Sequence, residues 1–286
     1  MSDEVTIEIT EVGPRDGLQN EPMLVATDQK IAFINALSRS GLRSIEVSSF
    51  VSPKWVPQLA DAEEVFASID RCDGVTYSAL VPNEAGLARA LAARVDKIAV
   101  FSAVSEAFCQ RNINATFAES LERFRPVIAM AKREGVAVRA YLSCVLACPY
   151  AGVTAPEAVA HAVEQLLALG NVEVSLGDTL GVSTPETVEA MLEATSSVLS
   201  PQATVLHLHD TNGRAISSVA RAVSLGVRAF DSAAGGLGGC PFADGATGNL
   251  ATEHLLAYAD EAGWTTGVDA AAVASARAVL GPMSAR

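Results

Sequence analysis

His207 and His209 stand two residues apart in the run 203–211, Ala-Thr-Val-Leu-His-Leu-His-Asp-Thr. The run begins apolar and β-branched and then turns polar, which is the pattern of a buried strand whose far end meets something polar. Side chains two apart in a strand share a face. The two imidazoles therefore lie side by side, while Leu206 and Leu208 face the other way. Adjacent imidazoles on a rigid strand suit a divalent cation. By themselves they also fit two ordinary core or surface histidines, so the rest of the chain has to decide.

Further groups with chemical potential are spread along the sequence. Gly-Pro-Arg-Asp-Gly-Leu-Gln-Asn-Glu (13–21) places Arg15 beside Asp16 at the end of an apolar run. The pair reads either as an ion pair in a turn or as a metal carboxylate next to a cation for an anionic oxygen. Glu46 lies inside Ser-Ile-Glu-Val, where a bare buried carboxylate is too costly; an arginine such as Arg15 would answer that need. Cys144 and Cys148 are spaced for one face of a helical turn and read first as small core residues. Asp178 follows Ser-Leu-Gly and reads as a site group or as a loop cap. Gly-Gly-Leu-Gly-Gly (235–239) forms neither a stable helix nor a stable strand, and it ends at Cys240. It reads as a flexible loop, or as a lid that carries a thiol. Asn249, near the start of a helical stretch, is an ordinary cap or a metal amide.

These groups need elements to hold them. Strand patterns fall at 5–12, 44–50, 76–81, 97–102, 137–144, 173–177, 204–209 and 229–232, and helical patterns at 27–40, 61–69, 84–93, 116–134, 154–169, 184–199, 215–225 and 249–262. In the helix 154–169, Thr154 is the expected cap, Pro156 suits the first turn and Gly170 follows the last apolar residue. Eight strand–helix repeats with short connections predict an α/β fold, a (β/α)₈ TIM barrel. An open doubly wound sheet is the alternative, but the first strand lacks a G-x-G-x-x-G turn. No linker is visible. The expectation is one catalytic domain over 1–286, with 263–286 as a short helical extension packed on the barrel. Catalytic groups then belong where strands end and loops begin.

Composition narrows the classes. Half of the 286 residues are hydrophobic, 19% are charged and the formal net charge is -13, so a large core is expected and disorder is not. The negative charge argues against nucleic acid or an anionic membrane as the main partner. An anionic substrate must be held by a local arginine, metal or helix N-terminus. Five cysteines without a C-x-x-C pair suit a reduced, cytoplasmic protein. No leader and no membrane-spanning run is visible.

Six stretches together resemble the hydroxymethylglutaryl-CoA lyases, within the wider group of TIM-barrel metal-dependent lyases and Claisen-type synthases. They are the run 13–21, Ser-Phe-Val-Ser-Pro-Lys-Trp-Val-Pro-Gln (49–58), Ser-Leu-Gly-Asp-Thr (175–179), His-Leu-His-Asp-Thr (207–211), Gly-Leu-Gly-Gly-Cys-Pro-Phe (236–242) and Gly-Asn-Leu-Ala-Thr-Glu (248–253). The glycine-rich loop ending in cysteine is the most particular to the lyases. The resemblance implies Mg²⁺ or Mn²⁺ held by Asp16, His207, His209 and Asn249, a donor set suited to an octahedral ion with open positions. It implies that Arg15 stabilises an enolate oxygen, Cys240 transfers a proton and Glu46 supports the site, while Gln19, Ser49, Asp178 and Thr179 line it. It also implies an acyl-CoA substrate and a homo-oligomer, dimer or tetramer. Pro22 departs from the lysine of many members, and Asn212 from their tyrosine or glycine; these changes leave the CoA phosphate contacts and the acyl substituent open.

The reaction implied is retro-Claisen cleavage of 3-hydroxy-3-methylglutaryl-CoA to acetyl-CoA and acetoacetate. Asp16 and His207 are both candidates for the base, and Cys240 is the expected acid. A related substrate, such as citramalyl-CoA or a longer 3-substituted 3-hydroxyglutaryl-CoA, would keep every motif. A condensing synthase of the same group usually carries a large further C-terminal domain, for which this chain has no room. A non-catalytic acyl-CoA-binding barrel would need none of the metal residues.

Overall fold

A computed structural model describes residues 4–19, 21–238 and 248–282 of the chain. Eight parallel strands close into a barrel: β1 (Glu8–Glu11), β2 (Ser44–Ser49), β3 (Thr76–Leu80), β4 (Lys97–Ala103), β5 (Ala137–Ser143), β8 (Glu173–Asp178), β9 (Thr204–Leu208) and β10 (Ala229–Ser232). Between β5 and β8 lies a small hairpin, β6 (Ala147–Cys148) and β7 (Gly152–Val153). The expected barrel is therefore present, with each strand close to its expected place.

The strand sequences explain the two faces. Val138, Ala140 and Leu142, Val174 and Leu176, and Leu206 and Leu208 alternate outward and are buried. They pack in one continuous core with apolar residues of the helices, α1 (Thr27–Leu37), α2 (Ala62–Ser68), α3 (Glu84–Ala92), α5 (Phe117–Arg133), α6 (Pro156–Leu167), α7 (Pro185–Thr195), α8 (Ala215–Ser224) and α9 (Thr252–Glu261). The residues between them face the barrel axis and are polar: Arg139 and Tyr141 on β5, Ser175 on β8, His207 on β9 and Asp231 on β10. Arg139 donates to Asp231 at 2.6 Å and to Thr10 at 3.1 Å, and Ser175 donates to Asp231 at 2.8 Å, so these charges meet partners inside the barrel.

Several local expectations change. Thr154 does not cap α6: its hydroxyl donates to the Cys144 carbonyl at 2.7 Å, and Ala155 takes the cap position. Cys144 and Cys148 share no helical turn, because Cys144 leaves β5 with φ 59° and Cys148 belongs to the hairpin. The helix expected from Asn249 begins at Thr252 after Ala251, so Asn249 lies in the approach to it and is not its cap. A further helix, α4 (Glu106–Ile113), is capped by Ser105. Its few apolar residues gave no helical period. Near the C-terminal end of the described residues, α10 (Ala270–Ala278) packs on α1 and α9. No described helix is long and apolar enough to cross a membrane.

Candidate active site

After β1 the chain forms a wide π-type turn at Gly13–Gly17, in which the N–H groups of Arg15, Asp16 and Gly17 all point at the Val12 carbonyl. Such turns are rare and concentrate at functional positions. This one swings Arg15 and Asp16 over the C-terminal mouth of the barrel. Arg15 is buried, with Nε 2.5 Å from Glu46 Oε2 and Nη1 2.6 Å from Asp16 Oδ1. The Tyr141 ring lies 5.2 Å from the guanidinium carbon, and its hydroxyl donates to Glu46 Oε2 at 3.1 Å. Glu46 thus has the arginine its burial demands.

His207 and His209 do share a face, with their Nε2 atoms 3.3 Å apart. His207 Nε2 lies 3.8 Å from Asp16 Oδ2, and its Nδ1 lies 3.4 Å from Asp231 Oδ2. Asp231 is its neighbour in register on β10. Asn249 pairs with His209 in an isolated bridge and donates from Nδ2 to Asp16 Oδ2 at 2.9 Å. Gly238 stands against it with φ 100°, and a Cβ there would lie 2.7 Å from Asn249 Nδ2, so only glycine lets the two segments meet.

Electrostatics follow from these contacts. Burial works against the Arg15 charge, but Glu46 and Asp16 outweigh it and hold the guanidinium above its ordinary pKa. Burial likewise opposes ionised Asp16, yet Arg15, His207 and His209 hold its carboxyl below the usual carboxylate range. Burial pushes Glu46 up against the pull of Arg15. His209 is pushed down to about 4, first by burial and then by its neighbour His207, which favours the neutral imidazole that a cation binds.

This donor set fits a divalent cation. Ligand atoms of Asp16, His207 and His209 lie within 4.8 Å of one another. Asn249 Oδ1 is buried beside them without a hydrogen-bond partner among the described residues, an acceptor that burial makes costly unless something fills its place. Two imidazole nitrogens and two oxygens form the mixed set that hard, octahedral ions accept.

The remaining expected residues divide. Gln19 follows the π-type turn, and its buried Oε1 has no hydrogen-bond partner among the described residues. Ser49 Oγ accepts the Val51 N–H at 3.2 Å. Thr179 Oγ1 accepts the Cys144 N–H at 2.9 Å, and Asp178 Oδ2 accepts the Ser183 N–H at 2.8 Å, so these two organise the loops after β5 and β8. Cys240, with the end of its glycine-rich loop, lies outside the described residues. Sequence reasoning missed Tyr141, Arg139 and Asp231. The signal was present: a charge or phenol in the middle of an apolar strand pattern.

Known proteins resemble the chain along nearly all of its length. The HMGL-like family model matches residues 6–280. The chain is 49% identical to the cytoplasmic 3-hydroxy-3-methylglutaryl-CoA lyase of Rattus norvegicus, over 92% of this chain and 77% of that one. It is 48% identical to a 3-hydroxy-3-isohexenylglutaryl-CoA/hydroxy-methylglutaryl-CoA lyase of Pseudomonas aeruginosa, over 94% of this chain and 90% of that one. The crystal structure of the HMG-CoA lyase from Brucella melitensis superposes with a TM-score of 0.94 at 52% identity, covering 96% of this chain and 97% of that one. With a closed barrel, an Arg15–Glu46 pair at its mouth and a family match along almost its full length, the chain belongs to the HMGL-like family.

Proposed function

We propose that the chain is a carbon–carbon lyase that cleaves 3-hydroxy-3-methylglutaryl-CoA to acetyl-CoA and acetoacetate, with Mg²⁺ or Mn²⁺ held by Asp16, His207, His209 and Asn249. One observation carries the chemistry. Ligand atoms of Asp16, His207 and His209 converge within 4.8 Å, and the Arg15 guanidinium sits 2.6 Å from Asp16. A cation of this kind, when bound, acidifies an alcohol and orients a carboxylate.

The protein groups divide the rest of the work. Asp16 and His207 are the two candidates for the base that takes the proton of the C3 hydroxyl. The C2–C3 electron pair then stays with C2, next to the thioester carbonyl, as an enolate, and C3 becomes the ketone of acetoacetate. Arg15, permanently charged and held by Glu46 and Tyr141, faces the mouth of the site and stabilises the enolate oxygen as its charge grows. Cys240 is the proposed acid that returns a proton to the enolate carbon, giving acetyl-CoA. A thiol with an ordinary pKa of about 8.5 keeps its proton at neutral pH.

The test is direct. The chain is incubated with a panel of 3-hydroxyacyl-CoA thioesters, with Mg²⁺ or with EDTA, and the products are read by mass spectrometry. Acetoacetate and acetyl-CoA from 3-hydroxy-3-methylglutaryl-CoA, only with the cation, are expected; no cleavage of any member of the panel overturns the assignment. A second reading, a longer 3-substituent, is favoured by the Pseudomonas aeruginosa relative, whose name gives it both substrates. Asn212, at a position where this sequence departs from many members, donates its amide to the Gly181 carbonyl at 2.9 Å. The panel therefore includes an isohexenyl thioester. By the same resemblance the chain is proposed to form a homo-oligomer, which light scattering would read.

A further inference from the structure

Glu11 ends β1 with its side chain on the outer face, opposite Thr10, whose hydroxyl meets Arg139 inside the barrel. The residue is fully buried, and the proposed reaction makes no use of it. Its Oε1 accepts the N–H of Gly13 at 2.8 Å and of Ala234 at 2.9 Å. Its Oε2 accepts the Thr252 hydroxyl at 2.7 Å, and Thr252 Oγ1 in turn lies 2.8 Å from Ser232 Oγ. A Cβ on Gly13 would sit 2.5 Å from Glu11 Oε1, so the missing side chain is what makes room for the carboxyl.

Those three partners open three different segments. Gly13 opens the π-type turn that carries Arg15 and Asp16. Ala234 opens the short turn that follows β10 and runs to Leu237 and Gly238. Thr252 opens α9, just past Asn249. On the inner side the same segments meet again, where Asn249 Nδ2 donates to Asp16 Oδ2 and to the Leu237 carbonyl, each at 2.9 Å. Glu11 thus lies beneath the junction at which two proposed cation ligands from distant parts of the chain are brought together. Without it, two main-chain N–H groups and a hydroxyl lose their acceptor in a dry place, which favours separation of the segments.

We propose that Glu11 is a positioning residue for the metal centre: by joining Gly13, Ala234 and Thr252 it sets the separation of Asp16 from Asn249. The inference rests on the metal reading above. Burial pushes the carboxyl up to about 7 against the pull of these hydrogen bonds, with Glu253 of α9 adding a small upward push. Glutamine is therefore a close stand-in for its protonated form. The glutamine carbonyl can accept both N–H groups and its amide can face the Thr252 oxygen.

Mn²⁺ binding to the full chain, read from the resonance of the free ion, tests this, with melting curves run in parallel. We expect Glu11→Ala to bind Mn²⁺ about tenfold or more weakly than wild type while Glu11→Gln stays within about threefold, the range set by loss or retention of groups that orient ligands. A folded Glu11→Ala chain that melts lower yet binds Mn²⁺ like wild type has lost only a structural support, and overturns the proposal. If Glu11→Ala does not fold, Glu11→Asp decides: one methylene shorter, it cannot span all three partners. Weakened Mn²⁺ binding by that variant supports the proposal, and wild-type binding overturns it. A wild type that binds no Mn²⁺ removes the metal reading itself, and this inference with it.

Discussion

Arg15 and Glu46 form a buried ion pair, Nε to Oε2 at 2.5 Å, and the Tyr141 hydroxyl donates to the same carboxylate oxygen at 3.1 Å. The pair fixes the guanidinium so that one edge serves Glu46 and another reaches Asp16. Arg15→Lys keeps the charge and loses that fork. Because charge on the enolate oxygen develops only during cleavage, the loss should fall on kcat more than on KM. A fall in kcat of about a hundredfold or more is expected, on the order of one lost oxyanion donor. Steady-state kinetics check it; a wild-type kcat rules the role out. Glu46→Ala should be worse for folding, costing about 3–5 kcal/mol because Arg15 is left buried with only part of its compensation.

Asp231 and His207 make a second linked pair. Asp231 Oδ2 lies 3.4 Å from Nδ1, and the carboxylate is itself held by Arg139 and Ser175. A carboxylate there keeps the proton on Nδ1 and leaves the Nε2 lone pair turned toward Asp16 and His209. Asp231→Asn keeps the shape and removes the charge. Mn²⁺ affinity should drop by about 10- to 100-fold, the usual effect of losing a carboxylate behind a ligating histidine. Titration of the folded variant with Mn²⁺ measures it, and an unchanged affinity shows that Asp231 serves Arg139 and Ser175 and not His207.

The barrel and most of its site were legible because both rest on short-range pattern. The alternation of strand-like with helix-like stretches located all eight barrel strands, and the two-residue period within one of them put His207 and His209 on one face. Where contacts come from far along the chain, the sequence was silent or misleading. Thr154 looks like a cap, but the Cys144 carbonyl captures its hydroxyl. Asn249 looks like a helix start, but Asp16 and Leu237 take its amide. Gly-Pro-Arg-Asp-Gly reads as a turn of some kind; its π-type winding opens on Gly13, whose N–H goes to the buried Glu11 carboxyl, a contact no local rule supplies. Arg139, Tyr141 and Asp231 interrupt apolar strands and so were visible in principle. They went unremarked because their partners lie on other strands: Arg139 meets Asp231, and Tyr141 meets Glu46.

Glu11 also makes stability depend on pH, with a sign opposite to that of most carboxylates. Its pKa is raised from 4.5 to about 7 in the folded chain. Between those values the folded state still holds a proton that the unfolded chain has released. Folding is therefore favoured by the protonated form, and that contribution is complete below pH 4.5 and lost as pH rises through about 7. Its full size is on the order of 3 kcal/mol, from the standard cost per pKa unit. Glu11→Gln does not titrate, so its stability relative to wild type should improve steadily across that window and level off above it. Urea unfolding of both proteins at a series of pH values measures the difference. A difference that stays flat from pH 4.5 to 7 would show that Glu11 is ionised throughout. The three donors around it would then outweigh burial, and the carboxylate would act as a permanent anion at the junction of its three segments.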